Sequence, residues 1–389
     1  MSRAHDVLVV GAGLFGLTAA LSLRARGWRV TVADPGPVPH PLAASTDVSK
    51  VVRADYMDPF YVDLGIKALA GWQTWNAEAA APLFHRTGAW YLSSRPPGER
   101  SFESVARELV ESRGQATTGV QDHDRVVDLP AVGARFTHGY HNPAGGWTES
   151  GAVIAWLAAK ARTAGIEILD KWPVTAILEA DGLVVGAAGP GGETRHAAST
   201  LVAAGAWTQV LLPQLADRLR PTGHPVFLFR PRDPARFRPP RFGVWTADIE
   251  NTGWYGFPAL EDGRVKVANH GPGRVLGPDA PRKVTDDEET ACRDFLRGLL
   301  PELADAPLDE TRLCLYSDTA NSDFLVARDP DRPGLVVAAG GSGHAFKFAP
   351  VLGDITADVV EGRDNSYASR FAWEPGESWG TIRGGTLGE

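Results

Sequence analysis

Cysteine is scarce in this chain, which has 389 residues but only Cys292 and Cys314. Two cysteines give neither a disulfide framework nor the paired spacing of a zinc site, so we expect no metal centre. A long apolar run is also lacking, because residues 7–23, the most apolar stretch, contain three glycines. No basic leader precedes that stretch, which therefore predicts a strand, a turn and a helix rather than a signal peptide or membrane span. We expect a cytoplasmic protein with no membrane partner.

Positive charge is also in deficit. The chain has 39 Lys and Arg against 47 Asp and Glu, a formal net charge of -8. This argues against nucleic acid as a partner, although it does not exclude a local basic pocket. Hydrophobic residues make up 43% and charged residues 22%, as in ordinary globular proteins, and the length indicates two lobes.

Three apolar runs that each end in glycine predict a parallel sheet. They cover residues 6–10, 200–204 and 334–339, which lead into Gly11, Gly205 and Gly340. The carboxyl ends of such strands meet at a ligand, so we expect a nucleotide domain built from segments far apart in the chain. Alternating patterns at residues 253–257 and 264–268 predict antiparallel strands in a second domain.

The first apolar run opens a dinucleotide motif. Gly11, Gly13 and Gly16 match G-x-G-x-x-G between a strand and a helix predicted over residues 14–26. These glycines allow a tight turn, close approach of the backbone to a pyrophosphate, and close packing of helix on strand. Asp34 lies 18 residues beyond Gly16, where it can accept hydrogen bonds from ribose hydroxyls. The motif predicts a nucleotide but does not separate NAD from FAD.

Further stretches carry a family resemblance. They are residues 45–56, 205–207, 254–258, 265–270, 314–319 and 341–348, in this order. Together they resemble the D-amino-acid-oxidase superfamily, and within it the branch of monomeric sarcosine oxidase, fructosyl amino acid oxidase and saccharopine oxidase. The block Gly-Ser-Gly-His-Ala-Phe-Lys at residues 341–347, with a cysteine upstream, is much more specific than the glycine motif.

The resemblance implies an α/β fold in which a Rossmann-type FAD-binding domain is interleaved with an antiparallel-sheet substrate domain. We expect the FAD-binding domain in residues 1–85, 145–215 and 315–370, the substrate domain in residues 86–144 and 216–314, and a C-terminal extension over residues 371–389. The resemblance also implies a monomer that binds FAD and reacts with a small amino acid and O2.

Individual roles follow from the same resemblance. Cys314 matches the cysteine bonded to the flavin 8α carbon, and Lys266 matches the lysine that activates oxygen. Arg53 and Lys347 match the basic pair that holds the substrate carboxylate, and Tyr255 matches a tyrosine of the substrate pocket. Contacts to the flavin are implied for Gly11, Gly13, Gly16, Asp34, Ser45, Lys50, Val174, Gly205, Gly341, Gly343 and Lys347.

This sequence departs from the sarcosine oxidases at three positions. Lys50 stands where they carry arginine, and Thr46 and Asp47 replace a stretch that contains histidine. The fructosyl and saccharopine oxidases tend to carry lysine at the position of Lys50. These departures favour an N-substituent larger than methyl.

The chemistry of the residues agrees with these roles. An arginine fork and a lysine point charge together fix a carboxylate with direction, and a cation stabilises charge that develops on oxygen. Without the resemblance, Lys266 would be interpreted as an exposed strand lysine and Cys314 as an inert buried thiol. For Arg53, an exposed helix arginine is the alternative to the clamp. His344 and His270 can be interpreted equally well as functional residues or as packed, hydrogen-bonded histidines.

We therefore predict an FAD-dependent oxidase of a secondary-amine amino acid, N-substituted or cyclic, which yields an imine and H2O2. One alternative is a flavin dehydrogenase of the same fold that passes electrons to a carrier. Another is a non-catalytic flavin-binding subunit. Lys266 and the complete clamp of Arg53 and Lys347 argue against both, because neither needs a cation that activates oxygen.

Overall fold

The computed structural model describes residues 5–96, 99–120, 135–373 and Trp379. Its helices are α1 (Leu14–Ala25), α2 (Pro59–Glu78), α3 (Phe102–Glu111), α4 (Ser150–Thr163), α5 (Thr208–Leu211), α6 (Ile249–Thr252), α7 (Asp286–Arg297), α8 (Pro301–Ala304) and α9 (Ala349–Glu361). Most of residues 374–389, part of the predicted extension, lie outside the described residues.

The strands of the N-terminal half are β1 (Asp6–Val10), β2 (Arg29–Ala33), β3 (Lys50–Val52), β4 (Phe84–His85), β5 (Ala89–Ser93), β6 (Thr118–Gly119), β7 (His138–Asn142), β8 (Gly146–Thr148), β9 (Glu167–Leu169), β10 (Ala176–Ala180) and β11 (Leu183–Ala188). Those that follow are β12 (Thr194–His196), β13 (Ser199–Val202), β14 (Arg220–Phe229), β15 (Val244–Ala247), β16 (Trp254–Gly256), β17 (Val265–Asn269), β18 (Arg274–Val275), β19 (Leu308–Asp318), β20 (Leu325–Arg328) and β21 (Leu335–Ala339).

Sheet I contains the three predicted apolar runs as neighbouring strands. Its order is β20-β21-β13-β1-β2-β9, and every pair is parallel except the edge pair β20–β21. Val7 and Val9 of β1 pack into one core, whereas Leu8 and Val10 pack into another on the opposite face. Burial on both faces explains why this strand is a continuous apolar run rather than an alternating one.

Helices cover sheet I and hold its segments together. Apolar residues of α1, α2, α4 and α9 share a core with Val7 and Val9. The N-cap of α1 is Gly13, which supplies no capping side chain, so the amide of Leu14 donates to the hydroxyl of Ser45 at 3.0 Å. The start of α1 thereby lies against the loop that precedes β3.

Sheet II is the large, mainly antiparallel sheet. Its order is β18-β14-β17-β16-β15-β5-β7-β6, with β19 pairing along β14, and β15–β5 is its parallel pair. The predicted strands at residues 253–257 and 264–268 are the antiparallel pair β16 and β17, in which Tyr255 lies opposite Ala268. The predicted fold class is confirmed.

The division of the chain into domains stays a prediction. Strand β19 runs without a break through residue 314, at which that division has a boundary. Phe371, assigned to the extension, is fully buried, and its carbonyl accepts the amide of Val326 at 2.9 Å. The chain is therefore packed into the core of the sheet I half as far as Phe371.

Candidate active site

A crevice opens at the carboxyl ends of β1, β2, β13 and β21, as expected for a ligand site of a parallel sheet. The predicted flavin contacts that line it are Gly11, Gly13, Asp34, Ser45, Lys50, Val174, Gly205, Gly341 and Gly343. Gly16 and Lys347 are not part of this lining. The crevice continues along Leu315, Tyr316 and Ser317 of β19, so it extends from sheet I to sheet II.

Two glycines of the N-terminal motif have no room for a side chain. A Cβ atom on Gly16 would lie 1.9 Å from the carbonyl oxygen of Gly11, so Gly16 lets α1 pack on the turn rather than line the crevice. Gly11 has a φ of +106°, and a Cβ there would lie 2.5 Å from the carbonyl oxygen of Ala203. Both requirements are those of a turn that brings its backbone close to a pyrophosphate.

Asp34 is fixed at the end of β2. Its carboxylate accepts the amides of Ala12 at 2.8 Å and Gly36 at 3.1 Å, and burial raises the pKa of the carboxyl group. This places one acidic group beside the glycine turn, where it can bind a ribose. Turn, helix start and carboxylate together fit the adenosine diphosphate half of a dinucleotide.

Cys314 lies where the crevice meets sheet II. It is buried in β19, opposite His224 of β14, and its Sγ atom is 3.9 Å from Nζ of Lys50. The next three residues of the strand line the crevice. The thiol is therefore adjacent to the cavity and beside a cation, whereas Cys292 is buried in α7 within a hydrophobic core.

Lys266 is fully buried in β17. Its ammonium group donates to the carboxylate of Asp47 and, at 2.7 Å, to the carbonyl of Ser49. Burial lowers the pKa of Lys266 to about 8, Asp47 opposes that change, and Lys50 adds to it. The same oxygen of Asp47 accepts from Lys50 at 2.9 Å. The interpretation of Lys266 as an exposed strand lysine is wrong.

Arg53 and Lys347 are a second pair of buried cations, each 6% exposed. The guanidinium carbon of Arg53 lies 4.4 Å from the ring centroid of Tyr56, and Nζ of Lys347 lies 5.4 Å from it. One terminal nitrogen of Arg53 has no hydrogen-bond partner within the described residues, and Lys347 donates to the carbonyl of His344 at 2.9 Å. Burial, and then the charges of Arg53 and Lys50, lower the pKa of Lys347 well below its usual value.

Tyr255 lies close to Lys50 and Asp47. It hydrogen bonds to Tyr316 and packs with it beside Cys314. His344 has both ring nitrogens engaged, by the hydroxyl of Tyr56 at 3.1 Å and the carbonyl of Ser322 at 2.8 Å. His344 is therefore a packed, hydrogen-bonded histidine, one of the two readings that the sequence left open.

The family model described as FAD dependent oxidoreductase matches residues 6–359. The chain belongs to this family. The crevice of this FAD-dependent oxidoreductase fits the cofactor, because the glycine turn, Asp34 and the β19 edge supply a surface for each part of an extended dinucleotide. The family predicted from the sequence is confirmed, and with it FAD as the cofactor.

Curated relatives match nearly the whole chain. The N-methyl-L-tryptophan oxidase of Salmonella arizonae is 29% identical over 364 residues, which cover 92% of this chain and 94% of the relative. The N-methyl-L-tryptophan oxidase of Citrobacter koseri is 28% identical over 378 residues, with coverage of 93% and 96%. These relatives are similar to this FAD-dependent oxidoreductase over both of its sheets.

Solved structures show the same fold. Fructosamine oxidase Amadoriase II of Aspergillus fumigatus, in complex with FSA, has a TM-score of 0.84 at 25% identity and covers 99% of this chain and 94% of its own. Fructosyl peptide oxidase from E. terrenum has a TM-score of 0.85 at 23% identity, with coverage of 99% and 96%. In the described part of the chain, no helix combines the length and apolarity needed to cross a membrane.

Three residues of the site were missed as functional candidates from the sequence. Asp47 was noted only as a departure from the sarcosine oxidases, yet it pairs with both Lys50 and Lys266. Tyr56 and Phe102 form walls of the Arg53 site, with Phe102 5.2 Å from the guanidinium carbon. The spacing of Asp47, three residues before Lys50, could have indicated an ion pair between them. No feature of the sequence indicated a role for Phe102.

Proposed function

We propose that this FAD-dependent oxidoreductase oxidises the C–N bond of an amino acid whose amine is secondary, N-substituted or cyclic. The products are an imine and H2O2. The observation that carries the proposal concerns Arg53 and Lys347, two buried cations beside the ring of Tyr56. Neither has an ion-pair partner among the described residues. Buried charge without a partner is costly, so an anionic ligand accounts for both.

The clamp orients the substrate. Arg53 can bind a carboxylate through two parallel N–H groups, and Lys347 adds a point charge on the same side of the Tyr56 ring. Lys50 adds positive charge nearby, since its charge acts on Lys347. Cationic surroundings favour the neutral form of the substrate amine, which is the form that can be oxidised.

Bound FAD supplies the redox chemistry, accepting a hydride equivalent from the carbon next to nitrogen and returning two electrons to O2. We assign to Lys266 the cation that stabilises negative charge developing on oxygen. Gly11, Gly13, Gly16, Asp34, Ser45, Lys50, Val174, Gly205, Gly341, Gly343 and Lys347 are proposed to hold or adjoin the cofactor. Tyr255 is proposed to line the substrate pocket, since it lies beside Lys50 and Tyr316.

The test is an amine panel assayed in parallel for H2O2 formation and oxygen uptake. It contains N-methyl-L-tryptophan, sarcosine, fructosyl amino acids and cyclic imino acids, each beside its carboxamide. We expect turnover of secondary-amine acids with one H2O2 formed per O2 consumed. Turnover that requires a dye or quinone and proceeds unchanged without oxygen would identify a dehydrogenase instead.

The N-substituent is a finer proposal. Lys50 in place of arginine favours a group larger than methyl, and the solved neighbours include fructosyl amine oxidases, while the curated relatives act on an N-methyl amino acid. We expect fructosyl or cyclic substrates to be oxidised faster than sarcosine. If sarcosine surpasses both classes in the panel, this preference is wrong.

Covalent attachment of the flavin at Cys314 is proposed from its place beside the crevice and Lys50. We expect the yellow colour to remain with the polypeptide after acid precipitation, and peptide mapping to locate the adduct at Cys314. The variant Cys314→Ala should release all of its FAD in acid, whereas the control Cys292→Ala should retain it. Free release of FAD from the wild type would contradict the attachment.

A further inference from the structure

Asp47 joins the two buried lysines of the site. We propose that Asp47 is a positioning residue that keeps Lys266 charged and in place for the reaction with O2. This inference rests on the proposed function, because it concerns the lysine to which that function assigns oxygen activation.

Both carboxylate oxygens of Asp47 accept hydrogen bonds. One oxygen accepts from the ammonium groups of Lys266 and Lys50, and the other accepts the amide of Val48 at 2.7 Å. The hydroxyl of Ser150 donates to the carbonyl of Asp47. Asp47 is only 1% exposed, so solvent does not compete for these contacts. A carboxylate held in this way fixes the ammonium groups that it binds.

Electrostatics gives the carboxylate a second effect. The groups that face Lys266 are Asp47, Lys50, the sulfur of Cys314 and the ring of Phe257, whose centroid is 4.8 Å from Nζ. Burial and Lys50 both disfavour the charge on Lys266, and Asp47 is its counter-ion. Asp47 is itself held ionised, since Lys266, Lys50 and Arg312 keep its pKa far below the usual range despite burial.

Neutralising Asp47 would leave two buried ammonium groups facing each other. Desolvation and the repulsion from Lys50 would then act on Lys266 without its counter-ion, and its pKa would fall below the present value of about 8. The protonated fraction of Lys266 at neutral pH would decrease. A purely structural role for Asp47 would lower stability but would not move the pH at which this lysine loses its proton.

The experiment measures the reaction of the reduced holoenzyme with O2 by stopped flow as a function of pH. In the wild type, the rate constant should fall as pH rises through about 8, where Lys266 deprotonates. In Asp47→Asn, the same fall should occur at least about one pH unit lower, so that the rate drops about threefold or more at pH 7.5 and about tenfold or more at pH 9. Anaerobic reduction by substrate should change much less.

A spectroscopic measurement tests this inference without relying on turnover. The visible absorption of the oxidised, resting holoenzyme should titrate with the proton of Lys266, and Asp47→Asn should shift that titration to lower pH. Asp47→Glu, which keeps the charge, should restore the wild-type position. The matched control is Asp323→Asn, which neutralises a buried carboxylate that contacts Tyr61 and Arg370 rather than a lysine; its titration should be unshifted.

The outcomes distinguish the inference from the proposed function. If Asp47→Asn slows both half-reactions equally, or slows oxidation without moving either pH profile, Asp47 is not the positioning residue. If no amine is oxidised but the spectral titration shifts in Asp47→Asn, the proposed function fails while the pairing of Asp47 with Lys266 stands. If the pH dependence of the oxygen reaction and that of the visible absorption both persist in Lys266→Met, the titrating group is not Lys266 and the inference is overturned.

Discussion

Replacing Lys266 with methionine is expected to slow the reaction with O2 about 100- to 1000-fold, the loss typical of one preorganised group that stabilises developing charge. Reduction by the amine substrate should change far less, because the clamp formed by Arg53 and Lys347 is separate from this lysine. Stopped-flow measurement of the two half-reactions distinguishes them. Methionine has a similar length and removes the charge without opening a large cavity.

The variant should also fold. Asp47 retains its contact with Lys50 when Lys266 is replaced, so the substitution does not leave a buried carboxylate without a counter-ion. Lys160→Met is a suitable control, since Lys160 lies on the surface and pairs with Glu78. Equal slowing of both half-reactions in Lys266→Met, or unchanged reaction with oxygen, would remove Lys266 from its assigned role.

The elements of sheet I could be predicted because their signals are local. A strand buried on both faces is a short apolar run, and the G-x-G-x-x-G motif marks two positions where the structure leaves no room for a side chain, Gly11 in the turn after β1 and Gly16 in α1. Prediction placed the strand at residues 200–204, and β13 is Ser199–Val202, a difference confined to its ends. Because the three apolar runs all end in glycine, they could be predicted to be neighbours in one sheet although they lie far apart in the sequence.

The electrostatics of the site could not be predicted in the same way. The charge state of Lys266 depends on its burial in β17 of sheet II and on Asp47, which lies 219 positions away in the sequence. Likewise, Arg53 and Lys347 meet at the ring of Tyr56 only after the loop beyond β21 folds against the segment beyond β3. The family resemblance implied the roles of these cations, whereas the counter-ion Asp47 and the aromatic rings of Tyr56 and Phe102 are brought to them only by the folded chain.

Loss of one cation from the clamp should weaken binding of an acid substrate by about 1.5 to 3 kcal/mol, or roughly 10- to 150-fold. This range applies to a hydrogen bond with charged partners, and both cations are buried, so water cannot readily replace the contact. We expect Arg53→Ala and Lys347→Ala each to raise the Kd measured in anaerobic reduction. The limiting rate of reduction should change less than the Kd does.

The decisive comparison is between an acid and its carboxamide, because only the acid carries the charge that the clamp binds. The wild type should strongly prefer the acid, and each variant should narrow that preference by weakening the acid while leaving the amide almost unchanged. A substitution that merely disturbs packing around Tyr56 would weaken both ligands alike, so the ratio isolates the charge. If the wild type oxidises the amide as well as the acid, the two buried cations do not bind a carboxylate, and a plain amine becomes the better substrate class.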